Sequence, residues 1–525
     1  MTVQHDRDMA ELELSRRSTP VAWLLRHEHE QSDAVAIRFE GQSTTWAQFG
    51  ERVRSTAAVL AEHGVGVGDR VVVLMPNRPE FQHVALATMY LGAILVPVNF
   101  RLAAGEVSYL VSNSEPTVVV TDDSLLDTAT AAVVEVSRAE SGGVTTVLSV
   151  DSRADGGPSM AALAPVADPP APAVVGYDDD AAIMYTSGTT GRPKGAVLSY
   201  QNFVVNALRT SKAWDLQEYD VMMLASPLFH IAAFCAWMGS VAGGATALLM
   251  PSTGFDATRV LDTMEAEGVT TTFLVPAQWQ MLCDEPRVAQ RDLKLRYLSW
   301  GAAPATEALL RRMMAAFPGA QIVAAFGQTE TTASGVWLRA ADSLRKIGSV
   351  GKAIYSTSIR VVDGRMNDVG VDEVGEIVYR GPGVMSRFWR NEEATAEAFR
   401  GGWFHSGDLV RRDAEGFLYV VDRIKDMIIS GGENIYCAEL ENVIADHPSV
   451  AQVAVVGRDD EKWGEVPVAV IVPTDASNPP SLEDIRAFCD GRLARYKLPK
   501  GVVIQPEFPR SGTGKVQKNV LRELV

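Results

Sequence analysis

The sequence has few cysteines, and none is spaced for a shared structural role. Cys235, Cys283, Cys437 and Cys489 are the only four in 525 residues, and no two of them form a C-x-x-C pair. A disulfide scaffold would need many closely spaced cysteines, and a structural zinc site would need paired ligands. We therefore expect a reducing compartment, the cytoplasm, and no structural zinc.

The chain also lacks an excess of positive charge and an amino-terminal apolar segment. Its formal net charge is −17, which argues against a general affinity for nucleic acid or for an anionic membrane. The first residues, MTVQHDRDMAELELSRR, are rich in charge, so no signal peptide is expected.

One uncharged stretch, Ile231–Met250, is long enough to cross a bilayer. Gly243 and Gly244 interrupt it and Pro251 ends it, which favours a buried helix, a turn and a short strand through residues 247–249. We expect no transmembrane segment and at most peripheral membrane contact.

A glycine- and hydroxyl-rich string, YTSGTTGRPKG at Tyr185–Gly195, is present instead. Glycines let successive backbone N–H groups converge on an anion, and the hydroxyls, Arg192 and Lys194 add donors and positive charge. The uncharged run at 181–184 just before it predicts a buried strand. The string is not a Walker A loop, since Lys194 follows a proline and no serine or threonine comes next. It predicts a polyphosphate-binding loop, with a flexible surface linker as the alternative.

Strands and helices alternate along most of the chain, and 525 residues exceed what one core usually holds. Alternation predicts parallel sheets with helices on both faces. From about Ile347 to Val421 the pattern changes to short β runs, which predicts a small barrel or sheet. The predicted fold is α/β, with a large N-terminal domain of doubly wound sheets plus a small β-barrel (residues 1–422) and a small α+β C-terminal domain (residues 423–525).

The string at Tyr185–Gly195 resembles the phosphate loop of the adenylate-forming superfamily, which includes acyl-CoA synthetases, luciferases and nonribosomal adenylation domains. Five further stretches follow in the family order: WGAAP at Trp300–Pro304, FGQTE at Phe326–Glu330, GWFHSGDL at Gly402–Leu409, DRIKDMIISGGENIY at Asp422–Tyr436 and PRSGTGK at Pro509–Lys515. The strings ISGGENIY and RYKLPK look most like those of bacterial fatty-acyl-CoA synthetases. The resemblance covers nearly the whole chain.

The resemblance implies binding sites for ATP, Mg²⁺ and coenzyme A. It assigns the phosphates to Thr186, Ser187, Gly188, Thr189, Thr190, Gly191 and Lys194, and the adenine to Gly301, Ala302, Ala303, Pro304, Phe326, Gly327, Gln328 and Thr329. An aromatic ring can stack on adenine, although the family usually has tyrosine where Phe326 stands. Asp408 and Arg423 would contact the ribose or phosphate, and His405 beside them is interpreted as structural.

Catalytic and mobile roles are also implied by the resemblance. Lys515, Thr186 and Glu330 would be catalytic, and the last two would ligate Mg²⁺, which prefers oxygen. Lys425 would be a hinge that makes the C-terminal domain mobile, and Gly431 and Gly432 would face coenzyme A. Without the resemblance, Glu330 is a helix-start carboxylate and Lys515 a solvated lysine.

The predicted reaction joins a small-molecule carboxylic acid to coenzyme A through an acyl-adenylate. Substrate contacts are assigned to His230, Trp300, Gly327 and Thr331. Trp300 replaces a smaller family residue and is expected to narrow the acyl pocket, whereas a structural role for His230 is equally open. No cation is evident among these residues, which favours an apolar monocarboxylic acid of medium to long chain.

Three alternatives remain. One is an aryl or other carboxylate–CoA ligase, and one is an adenylation enzyme that loads a carrier-protein thiol. No aspartate stands near Leu228–Ala236, where amino-acid adenylation domains hold the substrate's amino group, which disfavours amino acids. The third is a membrane fatty-acid transporter that uses Ile231–Met250 as a span. A homodimer is left open, and no nucleic-acid partner is expected.

Overall fold

The computed structural model describes residues 3–139, 145–152, 157–160, 166–186, 192–252, 254–302, 305–431, 433–510 and 516–525. Its helices are α1 Val3–Ser15, α2 Pro20–Glu30, α3 Trp46–Glu62, α4 Pro79–Tyr90, α5 Ala104–Ser114, α6 Leu126–Ala139, α7 Tyr200–Ala213, α8 Ile231–Gly243, α9 Ala257–Ala266, α10 Pro276–Asp284, α11 Glu307–Ala316, α12 Ala340–Ser343, α13 Glu392–Ala398, α14 Cys437–Ala445, α15 Leu482–Cys489 and α16 Lys518–Arg522.

The strands of the first half of the chain are β1 Val35–Phe39, β2 Gln42–Thr45, β3 Arg70–Leu74, β4 Ile94–Pro97, β5 Val118–Thr121, β6 Thr146–Ser149, β7 Asp180–Thr186, β8 Lys194–Ser199, β9 Val221–Leu224 and β10 Thr246–Leu249. Those of the second half are β11 Thr271–Leu274, β12 Tyr297–Gly301, β13 Gln321–Phe326, β14 Val336–Leu338, β15 Lys352–Ala353, β16 Ser358–Val362, β17 Val374–Arg380, β18 Arg387–Phe388, β19 Phe404–Arg412, β20 Leu418–Arg423, β21 Ile428–Ser430, β22 Glu433–Ile435, β23 Val450–Asp460, β24 Gly464–Pro473 and β25 Gly501–Ile504.

The chain divides into two compact units. The first comprises Met1–Ile347, Gly351–Ser358 and Tyr379–Phe404, and the second comprises Gly348–Val350, Ile359–Val378 and His405–Val525. Residues on both sides of the predicted division at 422/423 belong to the second unit, so that division remains a prediction.

Two sheets form the first unit. One has the strand order β18-β8-β7-β4-β3-β5-β6, and the other has the order β15-β14-β13-β12-β11-β9-β10-β1-β2. The predicted parallel pairing holds in their middles, for example between β3 and β4 and between β12 and β13. Antiparallel strands such as β8 and β14 extend the sheets toward their ends, where the chain turns straight back.

Local sequence signals account for several element boundaries. Thr45 and Gln48 form a reciprocal capping box that begins α3, as their spacing predicts. The uncharged stretch Ile231–Met250 forms α8 and then β10, and Gly244 between them has the left-handed conformation that ends a helix. Among the residues described, no helix has the length and apolar character needed to cross a bilayer.

The second unit holds two smaller sheets. Where the sequence predicts a small barrel or sheet, the strands form a four-stranded sheet in the order β16-β17-β19-β20. The other sheet combines β21 to β25, and the long antiparallel pair β23–β24 is its centre. Helices α14 and α15 cover it through an apolar cluster that includes Ile428, Leu440 and Ile485.

Candidate active site

The predicted phosphate loop connects two antiparallel strands of the first unit. Thr186 ends β7 and pairs with Lys194, which begins β8. The hydroxyl of Tyr109 donates to the Pro193 carbonyl at 3.1 Å, and the Lys194 ammonium lies 5.5 Å from the Phe388 ring centre. Residues 187–191, which include Ser187, Gly188, Thr189, Thr190 and Gly191, lie outside the described part of the chain. The two ends of the loop are therefore anchored by the β7–β8 hairpin.

The two residues predicted to ligate Mg²⁺ lie side by side. The Thr186 hydroxyl donates to the Glu330 carboxylate at 3.2 Å, although 144 residues separate them in the chain. Glu330 is 9% exposed, and its backbone carbonyl accepts a hydrogen bond from the Met385 N–H at 2.8 Å. One contact thus joins the end of the phosphate-loop strand to the FGQTE motif.

The donor chemistry at this contact suits Mg²⁺. Both side chains offer oxygen, the ligand type that Mg²⁺ prefers. Among the described residues, no group of three or more His, Cys, Asp and Glu side chains could hold a metal by itself. An ion here would take its remaining ligands from bound phosphate and water, which is the usual arrangement for nucleotide-bound Mg²⁺.

The WGAAP and FGQTE motifs follow neighbouring parallel strands. β12 ends at Gly301 and β13 at Phe326, and Gly301 pairs with Ala325, so both motifs leave the sheet at one edge. Ala302 has φ of 64°, an uncommon conformation for a residue other than glycine. Ala303 and Pro304 lie outside the described residues. Ligands of α/β sheets bind at this carboxyl edge.

Gly301 has a packing role that differs from the expected one. The sequence suggests that the small residues of WGAAP admit a flat ring. A Cβ on Gly301 would instead lie 2.3 Å from the Ala325 carbonyl oxygen and 3.2 Å from the Phe273 ring. Gly301 is needed because β12 and β13 approach each other closely at this point, and this reason holds whether or not a ligand binds at the edge of the sheet.

The FGQTE loop is compact and strained. A Cβ on Gly327 would lie 2.7 Å from both the Ser334 Cα and the Thr331 hydroxyl oxygen. That hydroxyl accepts the Gln328 N–H at 3.0 Å across the short helical turn that carries Thr329 and Glu330. Phe326 just before it is partly exposed.

Two consecutive residues after this turn, Thr332 and Ala333, have φ of 50° and 69°. Such backbone strain persists only where the surroundings enforce it, and it concentrates at functional sites.

One face of α7 holds the loop at residues 332–334 in its strained conformation, and the sequence analysis did not identify this face. Asn202, Asn206 and Arg209 recur at helical spacing and are all buried. The Asn206 amide donates to the Thr332 carbonyl at 2.6 Å, and the Arg209 guanidinium donates to the Ser334 carbonyl at 2.9 Å. The helical spacing of these polar residues was the signal in the sequence that could have identified this face. The same spacing also occurs on the solvent-exposed face of a surface helix, so the pattern alone does not distinguish the two cases.

Arg209 is unusual because its resolved partners are neutral oxygens. Besides Ser334, it donates to Ser356 at 2.8 Å and to the Thr357 hydroxyl at 2.8 Å. Burial lowers the pKa of Arg209 to about 10. Arg209 is thus a buried cation beside the Ser334 carbonyl of the loop that follows FGQTE, and its donors are engaged by the loops.

The predicted substrate residues occupy the same unit. His230 precedes α8, and its Nδ1 accepts the Ala232 N–H at 3.3 Å, so it has a helix-capping role. Trp300 is 5% exposed within β12, and Thr331 is 2% exposed. The Cys235 thiol of α8 points at the Thr332 carbonyl, 3.9 Å away, which places α8 against the strained loop.

The second unit contains the residues assigned to the ribose and the hinge. Asp408 and Arg423 face each other across β19 and β20, and the Arg423 Nε lies 2.9 Å from the Asp408 carboxylate. His405 hydrogen-bonds Glu376 at 2.7 Å, as suits a structural histidine.

Lys425 is exposed by accessible surface, but the atoms around it desolvate its ammonium, which is the main cause of its lowered pKa. The Gly431 N–H donates to the Trp463 carbonyl at 2.7 Å. Gly432 and Lys515 lie outside the described residues.

Comparisons with known proteins agree with this arrangement. Residues 24–389 match the family model described as AMP-binding enzyme, and residues 439–515 match the AMP-binding enzyme C-terminal domain. Relatives include the long-chain-fatty-acid–CoA ligase FadD13 of Mycobacterium tuberculosis, 39% identical over 96% of this chain and 98% of that protein. The indoleacetate–CoA ligase of Aromatoleum aromaticum is 38% identical over 96% of this chain and 97% of its own.

A solved structure gives the same result. The o-succinylbenzoate CoA synthetase of Bacillus subtilis in complex with ATP and magnesium ion has a TM-score of 0.84 and 31% identity, covering 95% of this chain and 98% of that one. The same synthetase in complex with its acyl-adenylate intermediate gives a TM-score of 0.85 at 32% identity, covering 95% and 97%. The chain therefore belongs to the AMP-binding enzyme family, in the group of acid–CoA ligases that its motifs resemble.

Proposed function

We propose that the protein activates an apolar carboxylic acid with ATP and transfers the acyl group to coenzyme A. In the first step a carboxylate oxygen attacks the α-phosphorus, the bond to the β-phosphate oxygen breaks, and pyrophosphate leaves. In the second step the thiol of coenzyme A attacks the acyl carbon, and AMP leaves. The observation that carries this proposal is the 3.2 Å contact between Thr186 and Glu330, which joins the phosphate-loop strand to the FGQTE motif.

The chain's own groups have separable tasks in this scheme. Backbone N–H groups and hydroxyls of the phosphate loop would hold the triphosphate, and Phe326 would stack on adenine. Lys515 would donate to the phosphoryl oxygens as their charge grows. Bound Mg²⁺ would supply charge neutralisation at the phosphates, and Thr186 and Glu330 would hold it.

Asp408 and Arg423 would act together on the nucleotide. A carboxylate can accept hydrogen bonds from both ribose hydroxyls, and Arg423 holds that carboxylate by a 2.9 Å contact. Asp408 is only 3% exposed, so the surrounding protein, and not water, fixes the orientation of its carboxylate. Asp408 and Arg423 would therefore bind the ribose of the nucleotide and not its base.

The proposed substrate is a monocarboxylic acid of medium to long chain. Apolar side chains of α8, including Phe234, and Trp300 of β12 would form the wall of the acyl pocket. Arg209 is a buried cation beside the loop that follows Glu330, but its guanidinium donates to Ser334, Ser356 and Thr357 and is thereby committed to the loops. A second carboxylate on the substrate would find no uncommitted cation in this set.

An aryl acid is the second candidate. Relatives of nearly equal similarity act, by their names, on long-chain fatty acids and on indoleacetate. A bulky buried tryptophan at position 300 would shorten the acyl pocket, which would favour a compact ring over a long chain.

The test is pyrophosphate release and thioester formation across straight-chain, branched, aryl, dicarboxylic and amino acids. We expect both products, with the highest kcat/KM on an apolar monocarboxylic acid. Preference for a dicarboxylic or amino acid would refute the substrate assignment, and pyrophosphate release without a CoA thioester would refute the acceptor.

Glu330→Gln connects the reaction to the site. Loss of the charged ligand should lower the rate of adenylate formation by about 10²-fold or more. Glu106→Gln is the matched control, because Glu106 also lies in a first helical turn and its carboxylate accepts the Ala103 N–H at 2.9 Å. If both variants lose activity equally, Glu330 is only a helix-start residue.

A further inference from the structure

Asn202, on the buried polar face of α7, makes three hydrogen bonds that join the start of this helix to a distant segment. Its side chain is 3% exposed. The side-chain oxygen accepts the Ser199 N–H at 2.8 Å, where β8 ends and α7 begins. The side-chain nitrogen donates to the Pro382 carbonyl at 2.8 Å and to the Val384 carbonyl at 3.1 Å. Both ends of the amide are therefore engaged.

The segment that Asn202 holds also contacts the turn that carries Glu330. The Gly383 carbonyl accepts the Thr332 hydroxyl at 2.8 Å. Two residues later, the Met385 N–H donates to the Glu330 carbonyl at 2.8 Å. Gly383 and Met385 are both buried. Residues 382–385 thus bridge α7 and the backbone on either side of the Glu330 carboxylate.

Close packing limits how far this segment can shift. A Cβ on Gly383 would overlap Nη1 of Arg209, which the Ser334 carbonyl holds in place. The end of the segment is fixed separately, because the Ser386 N–H donates to the Val197 carbonyl of β8 at 3.1 Å. The part before it is held by Asn202, so a change at Asn202 is passed to residues 382–385 and from there to the Glu330 turn.

The three partners of Asn202 require an amide. Two carbonyls need a donor and one backbone N–H needs an acceptor, and a side-chain amide supplies both. An ionised aspartate has the same shape but only accepts hydrogen bonds. Asn202→Asp would therefore keep the contact with Ser199 and turn an acceptor toward two carbonyl oxygens, which is costly in a buried place. The substitution separates the capping of α7 from the hold on residues 382–385.

We propose that Asn202 is a positioning residue that, through residues 382–385, holds Glu330 where its carboxylate would ligate Mg²⁺ together with Thr186. The inference deepens the proposed function and rests on it. Asn202 touches neither ATP nor the metal in this account. Residues that orient a metal ligand from outside commonly contribute about 10–100-fold in metal affinity or activity. Because Asn202 acts through the backbone, we expect an effect at the low end of that range.

The first measurement is the affinity of Asn202→Asp for ATP by calorimetric titration, once with Mg²⁺ and once with EDTA. The ratio of the two dissociation constants gives the coupling between metal and nucleotide. In the wild type Mg²⁺ should tighten ATP binding. In the variant that gain should shrink by about tenfold. The affinity in EDTA should stay within about twofold of the wild type, because the nucleotide contacts are unchanged.

The second measurement separates the two half-reactions. The Mg²⁺ concentration that gives half-maximal adenylate formation should rise about tenfold in Asn202→Asp. Conversion of synthetic acyl-adenylate and coenzyme A to thioester needs no metal at the phosphates in the proposed scheme, so its rate should stay within about twofold of the wild type. A variant that was merely destabilised would lose both steps together.

Asn77→Asp is the matched control. Asn77 is 4% exposed, and its side-chain nitrogen also donates to two carbonyls, those of Ser226 at 2.9 Å and Met250 at 3.2 Å. Its side-chain oxygen accepts the Leu228 N–H at 2.7 Å. The control therefore places the same charge in the same kind of buried contact. It should leave the Mg²⁺ gain in ATP affinity within about twofold of the wild type.

Asn202→Ala decides the matter if Asn202→Asp does not fold. Alanine removes both donor contacts without adding a charge, and circular dichroism checks that the variant is folded. The Mg²⁺ gain in ATP affinity should fall in the same direction as expected for the aspartate variant. A folded alanine variant with the wild-type gain would overturn the inference.

The outcomes separate the inference from the proposed function. Products formed by folded Asn202 variants with an unchanged Mg²⁺ gain overturn the inference and leave the ligase assignment intact. Equal shifts in Asn202→Asp and Asn77→Asp also overturn it, because any buried charge would then have the same effect. If Mg²⁺ does not tighten ATP binding in the wild type, the metal site at Glu330 fails, and the inference fails with it. If the wild type forms neither product from any acid, the proposed function fails.

Discussion

An arginine contacts the loop after Glu330, and another arginine contacts the segment around Lys425. The two arginines differ in their burial and in the charge of their partners. Arg209 is 3% exposed and donates to neutral backbone and hydroxyl oxygens of its loops. The side chain of Arg522 is 33% exposed and pairs with the Asp426 carboxylate.

Removing a buried donor leaves its acceptors unsatisfied, which costs about 1–3 kcal/mol for each acceptor. A partly exposed ion pair contributes only about 0.2–1 kcal/mol, because water replaces either partner.

The difference matches what each region has to do. The Glu330 loop contains two consecutive residues with positive φ, and strain of this kind survives only under strong restraint. A fixed loop can present a carboxylate to phosphate and metal without reorganising, which is how electrostatic catalysis gains its effect. The segment around Lys425 is the predicted hinge, and a hinge would have to exchange between conformations, so weak contacts would suit it better.

The largest expected effect concerns the two predicted faces of the C-terminal domain. Lys515→Ala should lower adenylate formation by about 10²–10³-fold, since one transition-state donor is lost, and should still convert synthetic acyl-adenylate to thioester. Gly432→Leu should release pyrophosphate but form little acyl-CoA, because the resemblance assigns Gly432 to the loop that faces coenzyme A, and a side chain there would obstruct it. The half-reactions are assayed separately, and an equal loss of both steps in Lys515→Ala would contradict the two-face mechanism.

Arg209→Met should lower the free energy of unfolding by about 3 kcal/mol, because it leaves the buried Ser334 carbonyl and two partly buried hydroxyls without their donor. Arg522→Met, the matched arginine of the second region, should cost about 0.5–1 kcal/mol. Denaturant titration of both variants measures the contrast. Equal losses of unfolding free energy in the two variants would show that both arginines stabilise their regions to the same degree, which would contradict the contrast drawn here.

Asp408→Ala should weaken ATP binding about tenfold, because two ribose hydroxyls lose a charged acceptor. It also frees Arg423, which in the wild type lies 2.9 Å from the carboxylate. Calorimetric titration with ATP gives the affinity, and Asp408→Asn separates the loss of charge from the loss of shape. Wild-type affinity in the alanine variant would remove Asp408 from the ribose site.

Trp300→Gly is expected to have the smallest effect on total rate and to change substrate preference instead. If Trp300, which is 5% exposed, lines the acyl pocket as predicted, it would limit the depth of that pocket, so its removal should shift the kcat/KM optimum toward longer chains. The acid series assayed on wild type and variant provides the measurement. An unchanged optimum would show that Trp300 is only a core residue of β12.

Much of the fold could be predicted, because the buried strands are short apolar runs. Glycine, proline and helix-capping residues mark where these strands end and the helices begin. The strand at Val221–Leu224 and the helix–turn–strand of Ile231–Met250 match the predicted elements closely. The motif order also pointed to Thr186 and Glu330 together, and the structure brings them within hydrogen-bonding distance.

What sequence reasoning missed depends on contacts between distant segments. The polar residues of α7 recur at helical spacing, but that local pattern does not identify Arg209 as a buried support of a loop 125 residues further along the chain. Gly301 was interpreted through a ligand, whereas the nearby Ala325 carbonyl accounts for it, and strand pairing of this kind is not encoded in a five-residue motif. The contact of Arg522 with the Lys425 carbonyl could not be predicted for the same reason, because 97 residues separate the two in the chain.

The most direct test of the central claim is a double-mutant cycle on Thr186 and Glu330, with the rate of adenylate formation as the measured quantity. Thr186→Val, Glu330→Gln and the double variant are compared with the wild type at saturating ATP and Mg²⁺. If the two side chains form one site, the double variant should lose little more than the more damaging single variant, because each change already disables the shared function. Losses that multiply, so that the two free-energy changes add, would show that Thr186 and Glu330 act independently and would contradict the account.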